Sequence, residues 1–148
     1  KFILEYYRKE HPEIRASASQ IPWNTDDDYI EMLPVMQSDI MLKKGEKTLV
    51  IDAKYYSHTT QKQYDVNTLH SGNLYQIFTY VKNLDTERTG NVSGMLLYAK
   101  TDEVVLPNNE YKMGGNAILV KTLDLDCNFL EIRKHLDNIV YSCFITSY

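Results

Sequence analysis

The alternation of apolar and polar positions divides the chain into helical and extended stretches. Residues 2–9 read as the end of a helix stopped by Pro12, because proline excludes the helical region for the residue before it. Over residues 29–42 strand formers dominate, with Pro34 marking a bend or an edge position. Lys43-Lys44-Gly45-Glu46-Lys47 is a turn, and residues 48–56 form a second strand whose apolar run Leu49-Val50-Ile51 suits a central place. The two strands make an antiparallel hairpin. Residues 57–69 are polar and aperiodic, a long loop of the kind that carries function. Leu74, Ile77, Val81 and Leu84 then recur at helical spacing behind Ser71 as N-cap, with Asn73, Gln76 and Tyr80 on the opposite face. Residues 92–99 and 117–125 are two more strands, joined through turn residues Pro107, Asn108, Asn109 and Gly114-Gly115. Asn128 followed by Glu131 is a capping box for a last helix, on which Phe129, Ile132, Leu136, Ile139, Val140 and Cys143 share one face. The sum is an α/β fold with helices packed on a sheet built around the hairpin.

Length and composition narrow the class. A chain of 148 residues is read as one domain, 1–148, and its opening on Lys1 and on the end of a helix suggests the C-terminal fragment of a longer subunit. With 6 Gly, 4 Pro and 43% hydrophobic residues it is neither disordered nor low-complexity. No apolar run approaches the ~18 residues of a membrane-spanning helix, and no secretory leader is seen, so a cytoplasmic protein is expected. Cys127 and Cys143 read as reduced structural thiols. Sixteen Lys+Arg against 20 Asp+Glu leave a charge of −4, the wrong sign for binding nucleic acid by charge alone. Residues 40–62 differ, with Lys43, Lys44, Lys47, Lys54 and Lys62 against Glu46 and Asp52. That local excess suits either a solvated hairpin edge or a polyanion contact.

The candidate chemistry lies on the hairpin. Side chains alternate along a strand, so Asp52 and Lys54 share a face about 6.6 Å apart while Ala53 points the other way. Asp39, on the first strand, can be brought beside them by antiparallel pairing. Two carboxylates about 4 Å apart repel by about 4 kcal/mol at an effective dielectric of 20. A divalent cation would offset this. Asp39, Asp52 and the backbone carbonyl of Ala53 form an oxygen-only set that suits Mg²⁺, or Mn²⁺ as a substitute, rather than Zn²⁺. Such an ion polarises a phosphodiester and acidifies a bound water, and Lys54 would orient that water or stabilise the charge growing on the phosphate. Gln76 and Tyr80, one helical turn apart, would support the site. The competing readings are a surface Asp–Lys pair worth about 0–1 kcal/mol and an exposed polar helix face.

Taken together, Asp39, then Asp52-Ala53-Lys54 after a turn, then Gln76 to Tyr80 as Gln-x-x-x-Tyr, resemble the PD-(D/E)xK nuclease superfamily in its Gln-x-x-x-Tyr branch. The strings Met36-Gln37-Ser38-Asp39-Ile40-Met41-Leu42, Ile51-Asp52-Ala53-Lys54-Tyr55-Tyr56 and Ser71-Gly72-Asn73-Leu74-Tyr75-Gln76-Ile77-Phe78-Thr79-Tyr80 are similar to the McrC nuclease subunits of McrBC 5-methylcytosine-specific restriction systems. The resemblance covers about residues 1–100. It implies a restriction-endonuclease-like fold, a central mixed sheet with an antiparallel catalytic hairpin flanked by helices, and Mg²⁺-dependent cleavage of DNA. It also implies a GTP-hydrolysing AAA+ partner, McrB-like, docked through an upstream region; this chain carries no Walker motif of its own. Ser38 stands where the superfamily usually has proline. Glu5 is the available helix acid, with a solvated Glu the simpler reading. Double-strand cleavage from a single site implies two copies or two events. The other classes left open are a non-catalytic DNA- or partner-binding module and a DNA-repair nuclease of the same superfamily.

Further residues have plainer readings. Asp26-Asp27-Asp28 is a solvated turn, His58 and His70 are loop residues with a chance of touching DNA, and Trp23 is a core aromatic. Twelve tyrosines suit partner or DNA contacts.

Overall fold

The computed structural model describes residues 2–54, 60–63, 66–99 and 107–145. In chain order the elements are α1 (Phe2–Glu10), β1 (Arg15–Ser17), β2 (Gln20–Ile21), β3 (Met36–Gln37), β4 (Ile40–Lys44), β5 (Lys47–Lys54), β6 (Thr60–Gln63), β7 (Val66–Leu69), α2 (Ser71–Leu84), β8 (Val92–Ala99), β9 (Asn109–Met113), β10 (Asn116–Leu123) and α3 (Phe129–Val140), which runs on into a wider π-type turn (Tyr141–Ile145). Six strands form a mixed sheet in the order β1-β4-β5-β8-β10-β9. β4 and β5 pair antiparallel, with Ile40 opposite Ile51, through a tight turn in which Gly45 takes a positive φ of 61°. β5, β8 and β10 run parallel, and α2 covers the crossover from β5 to β8.

Alternation along these strands creates two cores. On one face Ile40, Leu42, Leu49, Ile51, Met95, Leu97, Leu119 and Leu123 pack under α1 and α3. On the other Met41, Val50, Leu96, Tyr98, Ile118 and Val120 pack against Ile77, Tyr80 and Val81 of α2. α2 sits close because β8 has Gly94 beneath it, where an added Cβ would lie 2.7 Å from both Ile77 and Val81 side-chain carbons. Asn128 caps α3 by accepting the Glu131 N–H at 3.0 Å. Tyr6 and His11 meet Asp137 of α3 at 2.6 and 2.7 Å, fastening α1 to α3. No helix among the described residues is long and apolar enough to cross a membrane.

Several expectations need correction. Over residues 29–42 only β3 and β4 are strands; 29–35 form an exposed irregular connection with a positive φ at Met32, because Pro34 and the lack of a pairing partner outweigh strand propensity. Within the expected loop 57–69, β6 and β7 pair as a hairpin. The expected turn before β10 contains the edge strand β9. Ser71 is the first helical residue, and His70 occupies the N-cap without a side-chain cap bond. Phe129 is exposed and Cys143 lies in the π-type turn, so the buried stripe of α3 is Ile132, Leu136, Ile139 and Val140. Tyr55, Tyr56 and His58 lie outside the described residues, and the side chain of Lys62 is not described.

Candidate active site

β4 begins at Ile40, and the chain bends at Asp39, one residue before the strand on which it was expected. That bend carries the site. β5 continues beyond its antiparallel partner, so Ala53 reaches a position where β4 offers no backbone acceptor, and its N–H donates instead to Asp39 Oδ2 at 2.8 Å. A residue's N–H and C=O leave its strand on the same side, so the Ala53 carbonyl is directed to the Asp39 side as well. Ser38, at the position where proline was the expectation, donates its N–H to the Ser19 carbonyl at 3.2 Å, a bond that proline has no donor to make.

Asp52 and Lys54 extend the Val50 row of β5, on the face covered by α2. Asp52 is 5% exposed, and its Oδ2 lies 2.6 Å from Lys54 Nζ without making a hydrogen bond of good geometry. Burial pushes the Asp52 carboxyl above its ordinary value; the Lys54 ammonium opposes this and the neighbouring Asp39 carboxylate adds to it. Lys54 Nζ also donates to Gln76 Oε1 at 2.8 Å, Gln76 Nε2 donates to Tyr80 Oη at 2.9 Å, and Tyr80 Oη donates to the Gln37 carbonyl at 3.3 Å. The five expected side chains thus form one connected group. The expected face of α2 was wrong: Asn73 and Tyr80 are buried and Gln76 half-buried, because at about 100° per residue Tyr80 lies only about 60° around the helix from Ile77.

One residue beside the site, Tyr98, escaped the sequence reading. Fully buried, it stands opposite Lys54 in the β5–β8 register and accepts a hydrogen bond from Asn73 Nδ2 at 3.0 Å, tying the first turn of α2 to the strand beside the site. Its signal was parity: Tyr98 falls in the Leu96 row, which faces α2. Glu5 is not brought here; α1 packs on the other face of the sheet, and Glu5 pairs with Arg8 at 3.2 Å. Asp26, Asp27 and Asp28 are exposed, and Trp23 is half-buried with Nε1 donating to the Pro34 carbonyl at 2.6 Å. Among the described tyrosines Tyr6, Tyr7, Tyr80 and Tyr98 are buried, while Tyr29, Tyr75, Tyr111 and Tyr141 are exposed.

The donor set fits a hard divalent cation. The protein oxygens available to such an ion are the Asp39 and Asp52 carboxylates and the Ala53 carbonyl; among the described residues no group of three or more His, Cys, Asp or Glu side chains could hold a metal ion. Oxygen-only ligation with open positions for water and phosphate is the preference of Mg²⁺ or Mn²⁺. Asp52 Oδ2, buried and ion-paired with Lys54 at 2.6 Å without a well-aligned hydrogen bond, is the oxygen that such an ion would share with the ammonium.

Residues 9–99, which contain Asp39, Asp52, Lys54, Gln76 and Tyr80, match the family described as "McrBC 5-methylcytosine restriction system component". Over 142 residues, 94% of the chain, the sequence is 33% identical to the "Type IV methyl-directed restriction enzyme EcoKMcrBC" of Escherichia coli (strain K12). The chain spans 40% of the length of that relative.

Proposed function

The chain belongs to the family of McrBC 5-methylcytosine restriction system components, and from that premise we propose that it is a Mg²⁺-dependent endonuclease domain hydrolysing DNA phosphodiesters, on a restriction-endonuclease-like fold. Asp39, Asp52 and the Ala53 carbonyl hold the ion. When bound, it supplies Lewis-acid polarisation of the phosphodiester and an acidified water as nucleophile. Lys54 directs its ammonium at the charge that grows on the phosphate. Gln76 fixes the Lys54 ammonium, and Tyr80 fixes Gln76, so both are positioning residues. Reading of the methylated base and GTP hydrolysis belong to an AAA+ partner, engaged through a part of the protein outside this chain.

The observation that supports this most is the state of Asp52: buried, raised in pKa, beside a second carboxylate, with Lys54 shared between it and Gln76. A binding module would not need that arrangement, since removing a buried ion pair in favour of apolar packing is often neutral or stabilising. The test is cleavage of methylated plasmid by the full-length protein with its AAA+ partner and GTP, in Mg²⁺ or EDTA. Cleavage should require Mg²⁺ and be lost in Asp52→Ala and Lys54→Ala, with folding verified by circular dichroism. Cleavage that survives both substitutions would refute the assignment.

A further inference from the structure

At the opposite end of β5 and on the opposite face of the sheet, a second polar site is built. An open cavity of about 300 Å³ lies where α1 and α3 leave the sheet uncovered, with Leu49, Leu119 and Cys143 among its lining. Lys47, Lys112 and Lys121 line it together with Glu110. The register explains the convergence: Lys47 precedes Leu49 by two positions, Lys121 follows Leu119 by two, and Lys112 and Glu110 stand opposite Ala117 and Leu119, so all four point to one face. Lys44 stands directly opposite Lys47, a like-charge cross-strand pair that is destabilising as it stands. Among the described residues no carboxylate forms an ion pair with Lys44, Lys47 or Lys112. Three lysines against Glu110 in the lining leave a local excess of two positive charges in a chain whose net charge is −4. Protection of a sheet edge does not account for them: Lys112 is on the edge strand β9, but Lys47 and Lys121 are on the interior strands β5 and β10.

We propose that this basin binds a phosphate group, with Lys47, Lys112 and Lys121 as its charged contacts. Lysine ammoniums are point charges suited to phosphate, the lining holds no arginine to fork a carboxylate, and Asn91 and Ser93 add polar groups. Asp52 is about 16 Å away along β5, so the basin is separate from the catalytic carboxylates. Cys143 reports on it. Burial and Glu110 push that thiol up while Lys121 and Lys47 oppose them, which places the basin's charges around the sulfur.

The test is the rate of Cys143 alkylation by N-ethylmaleimide in the full-length protein, read on its peptide by mass spectrometry, with EDTA present to prevent cleavage. One arm adds inorganic pyrophosphate and the other a short blunt DNA duplex. Pyrophosphate at ten times its dissociation constant should slow the reaction about tenfold, since only the empty fraction reacts. In Lys47→Gln/Lys112→Gln the ratio of rates with and without probe should return to about one, a comparison internal to each variant. Protection by the duplex as well identifies a nucleic-acid backbone as the source, and protection by pyrophosphate alone a free phosphate compound; either supports the site. Rates unchanged in both arms, or protection that survives in the double variant, would overturn it.

Discussion

Asp39 and Ala53 are joined by a hydrogen bond of 2.8 Å in which a side-chain carboxylate takes the place of the strand partner that β4 no longer supplies. The bond ties the first carboxylate to the strand that carries the second. The geometry of the candidate site and the end of the β4–β5 pairing are therefore one feature.

That dual role separates two substitutions. Asp39→Asn keeps an acceptor for the Ala53 N–H, so stability should change little while cleavage is lost with the ligand charge. Asp39→Ala also removes the bond and should cost about 1 kcal/mol more in urea unfolding. Equal stabilities for the two variants would contradict the structural half of the claim.

Tyr80→Phe keeps the buried ring but removes the hydroxyl that accepts from Gln76 and donates to the Gln37 carbonyl. A stability loss of about 0.5–1.5 kcal/mol is expected. Because Gln76 then holds Lys54 less firmly, cleavage should slow about tenfold, equivalent to ~1.4 kcal/mol of barrier, while metal affinity is unchanged. Loss of metal affinity in this variant would place Tyr80 among the metal-binding groups instead.

Gly94→Ala tests how the sheet positions α2. The new methyl would meet Ile77 and Val81 at 2.7 Å, and the branched Val81 side chain is held in its rotamer by the helix, so α2 must move. A destabilisation of about 1–3 kcal/mol is expected, with reduced cleavage because Gln76 moves too. Val81→Ala in the same background should recover part of both, measured by urea unfolding and plasmid cleavage.

The α1–α3 clasp predicts an acid limb. Burial raises the Asp137 carboxyl, but the hydrogen bonds from Tyr6 and His11 outweigh it and hold the group below the ordinary carboxylate range. A depressed carboxylate contributes stability that is present above its unfolded pKa, near 3.9, and lost as pH falls through the lower folded value. Unfolding free energy measured from pH 7 to about pH 2 should fall across that window, and Asp137→Asn should flatten the fall.

Much of this was legible in the residues. The β4–β5 hairpin, the apolar stripe of α2, β8 and the capped α3 follow from period, turn chemistry and capping. What escaped was set by partners distant in sequence. β9 lacks a readable apolar pattern because it is an edge strand whose residues are mostly exposed. The stretch before β3 has strand-forming side chains but no neighbour to pair with. Gln76 and Tyr80 were recognisable by spacing, yet their placement against the sheet depended on Gly94, which no periodicity marks, and on the bond from Asn73 to Tyr98, a partner distant in sequence.

The most direct test of the central claim separates metal binding from chemistry at neighbouring residues. Mn²⁺ titrated into the full-length protein and followed by electron paramagnetic resonance should bind in wild type and in Lys54→Ala, and should lose its site in Asp52→Ala, while cleavage is abolished in both variants. Mn²⁺ binding that is unaffected by Asp52→Ala, in a folded protein, would contradict the account.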